Sequence, residues 1–284
     1  MKIASGGLLA AVLAILALML PSLGEAGAGE KPLLTIAHCS DPHIAKDKGE
    51  YQRNFSAVID YINKSKIDVV VITGDLVESP KKESFLLFKE YIKKLKPPVL
   101  YVPGNHDIGN KPSLEGRVTR ESLSFYKKIM GEDHWHYIKN GVHLIGINSE
   151  ILNSGFPEEE EQRVWLEKTL KGIPSGEKVI LFAHYPLFRN ELGEAPAKGN
   201  YWTIDPPARD EILYLLMRYR VAGYFCGHLH IPMSKEAKGI KFVVAPAVSF
   251  SVSENKEDIG FNIIRLFPDK ISLETIRIKD ILNK

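Results

Sequence analysis

Cysteine is scarce in this sequence, which has only Cys39 and Cys226 among its 284 residues. So few cysteines exclude a small disulfide-stapled scaffold and a zinc site built from four thiolates. The two residues could pair in an oxidising compartment, but each ends an apolar run that predicts a buried strand. We therefore expect two free, buried thiols, with a disulfide between them as the alternative.

A large excess of charge of either sign is also missing. Lysine and arginine number 37 against 35 aspartates and glutamates, which gives a net charge of +2. This balance predicts no general attraction to nucleic acid or to an anionic membrane. Repeats and low-complexity tracts are absent as well. The length suits one large globular domain, which we place at residues 30–284.

The one long apolar run lies near the N terminus, after Lys2. It extends from Leu8 to Leu20 without a polar residue. A basic residue, a short apolar segment and the small residues Ala26-Gly27-Ala28 are typical of a secretory signal peptide, here residues 1–28. The run is short for a membrane span, which needs about 20 apolar residues, but an uncleaved anchor is the alternative. We therefore expect export to the cell exterior, the periplasm or the outer face of a membrane.

The rest of the chain alternates apolar runs with segments of helical spacing, and the first strand-helix-strand units predict a parallel sheet. The hairpin signal Asn140-Gly141 and a β-rich final third add antiparallel pairs. These patterns predict an α/β fold, a four-layer α-β-β-α sandwich of two mixed sheets. Phe188–Pro207 has no clear period and predicts a long functional loop. Glu158–Glu161 follow Pro157 and predict a solvated helix start, not a calcium site.

Five short polar clusters each follow an apolar run that predicts a strand. They are Asp41-Pro42-His43, Gly74-Asp75, Gly104-Asn105-His106-Asp107, Ala183-His184 and Gly227-His228-Leu229-His230. Ligand sites of open α/β sheets form outside the carboxyl ends of the strands, so we expect these clusters to converge there. We also expect both side chains of each Asp-x-His or His-x-His step to point the same way, as alternate residues of an extended segment do.

The clusters offer carboxylate, amide and imidazole groups, which suit manganese, iron or zinc ions. The donors suffice for two ions and leave one histidine for proton transfer. Any single histidine is more often a structural residue than a ligand, but five of the nine histidines fall in these clusters. Asp75 could use one oxygen on each of the two ions. The pattern therefore predicts a two-metal hydrolase.

In order and spacing, the five clusters resemble the sequence blocks of the calcineurin-like metallophosphoesterase superfamily. The resemblance implies that a hydroxide held between two metal ions hydrolyses a phosphate ester. It implies one metal bound by Asp41, His43, Asp75 and His230, and another bound by Asp75, Asn105, His184 and His228. It also implies that His106 protonates or stabilises the leaving oxygen, and Glu78 or Asp107 could orient that histidine.

Particular residues indicate to which branches of the superfamily the sequence is more similar. Glu78 stands where purple acid phosphatases carry tyrosine, and Gly74–Pro80 lacks the arginine of the phosphoprotein phosphatases. The Pro103–Asn110 stretch is similar to calcineurin-like phosphoesterase domain-containing proteins implicated in dephosphorylating phosphoserine and phosphothreonine. The complete Asp41-x-His43 step is equally similar to bacterial class III cyclic-nucleotide phosphodiesterases. A general phosphatase or phosphodiesterase, a diester specialist and a non-catalytic metal-binding module therefore stay open.

Substrate contacts are expected from the long loop and the helix after it. Asn200, Tyr201 and Trp202 could form a rim that packs on substrate, with ordinary loop anchoring as the alternative. Arg209 could meet a phosphate in a bidentate contact. The alternative for Arg209 is a solvated arginine at the start of a helix.

Overall fold

Two β-sheets lie face to face in this computed structural model, which describes residues 30–195, 199–256 and 258–282. In spatial order, the first sheet contains β11 (Ile271–Arg277), β10 (Gly260–Leu266), β1 (Leu34–Cys39), β2 (Val69–Thr73) and β3 (Val99–Val102). The second contains β4 (Trp135–Lys139), β5 (Val142–Gly146), β6 (Lys178–Phe182), β7 (Gly223–Cys226), β9 (Ile240–Val244) and β8 (Met233–Ala237).

Both sheets are mixed, as predicted. Strands β1, β2 and β3 run parallel, and β10 and β11 extend that sheet in antiparallel fashion. In the second sheet β5, β6, β7 and β9 are parallel, while β4 and β8 are antiparallel edges. The central strands are buried along their whole length because both of their faces are covered.

Helices cover the outer face of each sheet and complete the predicted four-layer sandwich. The first sheet packs against α1 (Gly49–Lys64), α2 (Lys82–Ile92), α4 (Arg120–Met130) and α7 (Ile278–Leu282). The second packs against α5 (Pro157–Gly172) and α6 (Ala208–Arg218). A single turn, α3 (Asn105–Ile108), follows β3. This arrangement gives three apolar cores. One lies between the sheets, and one lies beneath each helical layer.

Most elements lie where the apolar patterns predict them, and the differences have local causes. Strand β8 was not predicted because alternate residues of this edge strand are exposed and give little apolar signal. The acidic residues after Pro157 lie in the first turn of α5, as predicted. Cys39 and Cys226 are both free and buried, also as predicted.

The predicted leader, residues 1–28, lies outside the described residues. The chain divides into Met1–Lys31 and Pro32–Lys284, and every helix and strand named above belongs to the second unit. Within the described ranges, no helix combines the length and the apolar character that crossing a bilayer requires.

Replacing Phe225 by alanine should test the core between the sheets. Phe225 is fully buried there, and its ring contacts those of Phe182 and His38. Because the alanine variant leaves a cavity, we expect the free energy of unfolding to fall by about 3–5 kcal/mol in urea titrations followed by circular dichroism. Phe125→Ala is the matched control, since Phe125 is 38% exposed. Equal losses in both variants would contradict the assigned packing.

Candidate metal centre

The five polar clusters converge beyond the carboxyl ends of β1, β2, β3, β6 and β7. Three groups of side chains present ligand atoms within 4.8 Å of one another, and two of them consist of predicted ligands: Asp41, His43, Asp75 and His230, and Asp75, His184 and His228. The remaining group is His43, Glu78 and His106. Asn105 joins the second group, since its Oδ1 lies 3.1 Å from His184 Nε2. All seven residues predicted as ligands are therefore neighbours, and Asp75 is common to both groups.

One oxygen of Asp75 lies between the two groups. Asp75 Oδ2 is 3.5 Å from His43 Nε2 and 3.4 Å from His184 Nε2. The other oxygen, Oδ1, accepts a hydrogen bond from the backbone N–H of His106 at 2.8 Å. The second oxygen is thus engaged by the helical turn α3, and the use of one Asp75 oxygen on each ion stays a prediction.

The backbone of the clusters is left-handed where an extended path was expected. Residues with positive φ are Asp41 (54°), His43 (46°), Asp75 (48°), His228 (68°) and His230 (53°). This conformation is uncommon for residues that carry a side chain, and such strain concentrates at functional sites. The paired side chains therefore converge through tight turns, and the alternation of an extended segment is the wrong explanation for these steps.

Glycines in the clusters let the strand ends approach closely. A Cβ on Gly74 would lie 2.4 Å from His184 Nδ1, and one on Gly227 would lie 1.8 Å from Ser40 Oγ. A Cβ on Gly104 would lie 2.3 Å from the backbone nitrogen of Asp75. Any side chain at these three positions would separate the residues that the fold brings together.

The nitrogen and oxygen atoms of the cluster lie close enough together to bind a cation between them. His43 Nε2 is 3.3 Å from His230 Nε2, and His228 Nδ1 is 3.2 Å from His184 Nε2. Asp41 Oδ1 is buried without a hydrogen-bond partner among the described residues. Nitrogen and carboxylate donors that converge in this way match the ligands of zinc and of related transition metals. The cluster therefore has the composition and spacing of a metal centre.

Electrostatics within the cluster keep its carboxylates ionised. Burial, the largest effect, acts to raise the pKa of Asp41, but attraction to His230 prevails and lowers that pKa to about 2. The pKa of Asp75 is likewise held well below its usual range, by His184 and His43 against burial. Burial lowers the pKa of His228 to about 3, with repulsion from His184 adding to the effect.

The second nitrogen of three clustered histidines is held by a backbone carbonyl. His184 Nδ1 donates to Thr73 O at 2.8 Å. His230 Nδ1 donates to Phe250 O at 2.8 Å, and His228 Nε2 donates to Tyr201 O at 3.0 Å. Such contacts fix the ring and its tautomer, and they leave the other nitrogen as a ligand. The ligand nitrogens are therefore oriented before any ion binds.

His106 is oriented by the main chain of Glu78. His106 Nδ1 donates to Glu78 O at 2.9 Å, which leaves Nε2 available to a substrate. Asp107, the other residue suggested for this role, accepts instead from the backbone N–H groups of Gly104, Leu76 and Val77. Its side chain therefore braces the loops that carry Asp75 and Asn105.

Tyr201 and Trp202 lie next to the second group of ligands. Tyr201 Oη accepts from Asn105 Nδ2 at 3.2 Å, and its ring centroid is 4.7 Å from that of His228. Trp202 is farther out, 6.2 Å from the His228 ring, and its face is covered by the Arg189 guanidinium. Both rings thus line the approach to the cluster.

Asn200 and Arg209 are engaged away from the cluster. The Asn200 amide donates to Thr203 O, Thr203 Oγ1 and Asp205 Oδ1, so it holds the loop together. Arg209 is buried and donates to Glu194 O and Asp210 Oδ1. These contacts favour loop anchoring for Asn200, and they correct the expectation that Arg209 is either solvated or directed at a phosphate.

Two residues near the cluster were missed by sequence reasoning. The Phe250 ring packs at a tilt against that of His230, with 4.3 Å between centroids, and lies 5.3 Å from the His43 ring, but its sequence context gives no motif. Lys111 is buried, and its Nζ donates to Thr203 O at 2.7 Å and to Asp205 Oδ1 at 2.9 Å. Lys111 therefore anchors the loop that carries Tyr201, a role that no local pattern indicates.

Replacing Gly104 by alanine should disrupt the cluster. The added methyl group would meet the backbone of Asp75, which must shift together with its carboxylate. Because a displacement of about 1 Å can lower catalysis by about 100-fold, we expect a loss of that order in phosphate-ester hydrolysis. Gly49→Ala is the control, since no atom lies within 4 Å of its Cβ position. Full activity in the Gly104 variant would contradict the described contact.

Comparison with known protein families gives one match that spans most of the chain. The family model described as calcineurin-like phosphoesterase matches residues 34–232. The match begins with β1 and ends just after His230, so it includes all five polar clusters.

Curated proteins with similar sequences include both phosphodiesterases and phosphatases. The 3',5'-cyclic adenosine monophosphate phosphodiesterase CpdA of Haemophilus influenzae is 24% identical over 229 residues, which cover 77% of each chain. The probable glycerophosphodiester phosphodiesterase GpdQ of Arcobacter nitrofigilis is 29% identical over 69% of this chain and 72% of its own. The serine/threonine-protein phosphatase CPPED1 of Danio rerio is 29% identical over 69% of this chain and 64% of its own.

Proposed function

This chain belongs to the calcineurin-like phosphoesterase family, and on that basis we propose that its preferred substrates are phosphodiesters. As a member of that family it is a metallophosphoesterase, a hydrolase of phosphate esters that depends on two metal ions. The proposal concerns which ester it prefers, which residues hold the metals and which residue assists the leaving group.

The ligand assignment follows the two groups of neighbouring side chains. Asp41, His43, Asp75 and His230 hold the first ion, and Asp75, Asn105, His184 and His228 hold the second. Their mixture of oxygen and imidazole donors suits manganese, iron or zinc. Bound there, the ions supply positive charge to the phosphoryl oxygens and lower the pKa of a water molecule to near neutrality.

The remaining steps belong to the side chains of the protein. Asp75 Oδ2 serves both groups and sets the distance between them. Burial acts to lower the pKa of His106, but Asp75 and the Glu78 carbonyl raise it, which favours a ring protonated on both nitrogens. Nδ1 of that ring donates to Glu78 O, and Nε2 delivers its proton to the departing ester oxygen. Tyr201 keeps Asn105 in place through its hydroxyl group and covers the ring of His228.

The observation that carries the diester proposal is the lack of arginine at the cluster. Among the described residues, no arginine forms a hydrogen bond or ion pair with the seven ligands, and Arg209 and Arg189 are engaged elsewhere. A phosphomonoester carries about two negative charges at neutral pH. A diester carries one, so it needs less positive charge beyond the metals. The names of the CpdA and GpdQ relatives support the same choice.

Aromatic side chains next to both groups suit the organic substituents of a diester. Phe250 covers His230 and His43 on the first group, and Tyr201 covers His228 on the second. Each phosphodiester has two organic substituents, whereas a monoester has one. A monoester substrate, such as a phosphoprotein, is the second candidate, and it is supported by the similarity to CPPED1.

A comparison of esters tests the proposal. We expect kcat/KM for bis-p-nitrophenyl phosphate to exceed that for p-nitrophenyl phosphate by about 10-fold or more, which corresponds to at least about 1.4 kcal/mol of transition-state discrimination. The assay is repeated with manganese, zinc, iron and magnesium in turn. A preference for the monoester with every metal would overturn the diester proposal and favour the phosphatase.

A His106→Ala variant shows whether hydrolysis belongs to this cluster. Loss of a positioned proton donor lowers rates by about 10²–10⁴-fold, so we expect a loss in that range for both esters. Metal content, measured by mass spectrometry, should stay at two equivalents because His106 is outside both ligand groups. An unchanged rate with metals retained would refute the role of His106.

We also propose that the protein is exported, which the order of Lys2, the apolar run Leu8–Leu20 and Ala26-Gly27-Ala28 supports. The chain recovered from the producing cells should then begin near residue 29, as N-terminal sequencing would report. A cell-exterior protein that still begins at Met1 would favour the uncleaved anchor. A cytosolic protein that begins there would contradict export.

A further inference from the structure

His43 differs from the other three histidines that are proposed as ligands in the group that faces its second nitrogen. The other three donate to backbone carbonyls, whereas His43 Nδ1 lies 3.0 Å from the carboxylate oxygen Oε2 of Glu78. Both of these atoms are buried, and among the described residues neither forms a hydrogen bond, so the contact between them is a close charge contact. A charged side chain therefore stands where the other three histidines have a neutral carbonyl group.

The His43 ring connects Glu78 to the first group of ligands. On the opposite side of the ring, Nε2 is 3.3 Å from His230 Nε2 and 3.5 Å from Asp75 Oδ2. A neutral imidazole that binds a metal through Nε2 carries its proton on Nδ1. The N–H group at Nδ1 then lies 3.0 Å from a carboxylate oxygen of Glu78, and Nε2 lies on the side of the ring next to the ligands.

The backbone holds Glu78 in register with His43 independently of the contact between their side chains. Ile44 N donates to Leu76 O at 3.1 Å, and Glu78 N donates to Ile44 O at 3.3 Å. This short parallel bridge ties the segment after β2 to the segment that carries His43. The second carboxylate oxygen of Glu78 faces solvent and lies 3.8 Å from Lys48 Nζ.

We propose that Glu78 is a positioning residue whose carboxylate orients His43 and strengthens the first metal site relative to the second. The inference rests on the ligand assignment proposed above. A carboxylate that accepts the second N–H of a metal-bound histidine fixes the tautomer of the ring and raises its basicity. His184 and His228 of the second site have only carbonyl groups in that position, so the two sites differ in strength.

The two roles of Glu78 can be separated by mutation. Its main-chain carbonyl accepts from His106, and its side chain faces His43. A change of the side chain therefore removes the carboxylate from His43 and leaves the bond to His106 in place. If the carboxylate served His106 instead, the same change would alter proton transfer and leave metal affinity unchanged.

The test is Glu78→Gln, which keeps the size of the side chain and removes its charge. Binding of Mn²⁺ and of Zn²⁺ to the metal-free protein is measured by competition with a chelator, without any substrate. We expect the affinity of one equivalent to fall by about 10–100-fold, and the affinity of the other to change by less than about 3-fold. The Asn105→Ala variant removes a ligand of the second group only. The equivalent whose affinity falls in that variant is therefore the one bound at the second site.

Glu83→Gln is the matched control. Glu83 lines the same cleft of about 720 Å³ as Glu78, is exposed, and loses the same charge on substitution. We expect no change in either affinity, because the effect of Glu78 depends on contact with His43. Equal weakening of both equivalents in both variants would overturn the proposal in favour of a general charge effect.

Two further outcomes would overturn the inference, and a second variant covers a failure of the first to fold. A third bound equivalent in the unmodified protein that disappears in Glu78→Gln would make the carboxylate a ligand and overturn the proposal. A changed pH dependence of kcat with both affinities intact would overturn it in favour of a role on His106. If Glu78→Gln fails to fold, Glu78→Asp carries the same test, since its shorter side chain retracts the charge from His43.

Failure of the inference is distinguishable from failure of the proposed function. If the unmodified protein binds two equivalents and hydrolyses esters while Glu78→Gln binds both as tightly, only the role of Glu78 is wrong. If the unmodified protein fails to bind two equivalents, the ligand assignment itself is wrong.

Discussion

The burial of two carboxylates where the two sheets meet is the constraint on which the rest of this protein depends. Asp41 and Asp75 are 0% and 2% exposed, and their pKa values stay low in spite of burial. An ion removed from water is destabilised by several kcal/mol unless opposite charge surrounds it. The surrounding imidazoles supply part of that compensation, and metal cations bound to these groups would complete it. The convergence of five loops on these carboxylates follows from this requirement.

The same convergence strains the backbone, and the fold has to hold it. Five of the seven proposed ligands adopt the left-handed conformation, which costs about 1–2 kcal/mol for each residue with a side chain. Gly74, Gly104 and Gly227 admit contacts that no larger residue could make. Three apolar cores keep the strand ends rigid enough to maintain these turns. The buried strands therefore contribute to the site by holding its backbone in place.

The two halves of the cluster have different surroundings. The first is bordered by Phe250 and by the carboxylate of Glu78, and the second by Tyr201 and the amide of Asn105. Lys111 connects the second half to the rest of the fold, because it anchors the loop that carries Tyr201. Ions bound in the two halves would therefore experience different charge, which gives a physical basis for unequal binding and for distinct roles toward one substrate.

The resemblance to the calcineurin-like metallophosphoesterases selected the seven neighbouring donors from the polar clusters. The order of apolar runs and polar clusters determined the α/β sandwich and the edge at which the clusters meet. These features follow from local signals, because side-chain period defines strands and helices and parallel strands share a carboxyl edge. The tertiary structure alone decided that one oxygen of Asp75 lies between the groups and that five of the proposed ligands adopt the left-handed conformation. It also decided that Asn200 and Arg209 anchor loops, and that the Glu78 side chain faces His43 while its carbonyl faces His106. These outcomes depend on contacts between segments that are distant in sequence, and residue type and spacing carry no information about such contacts.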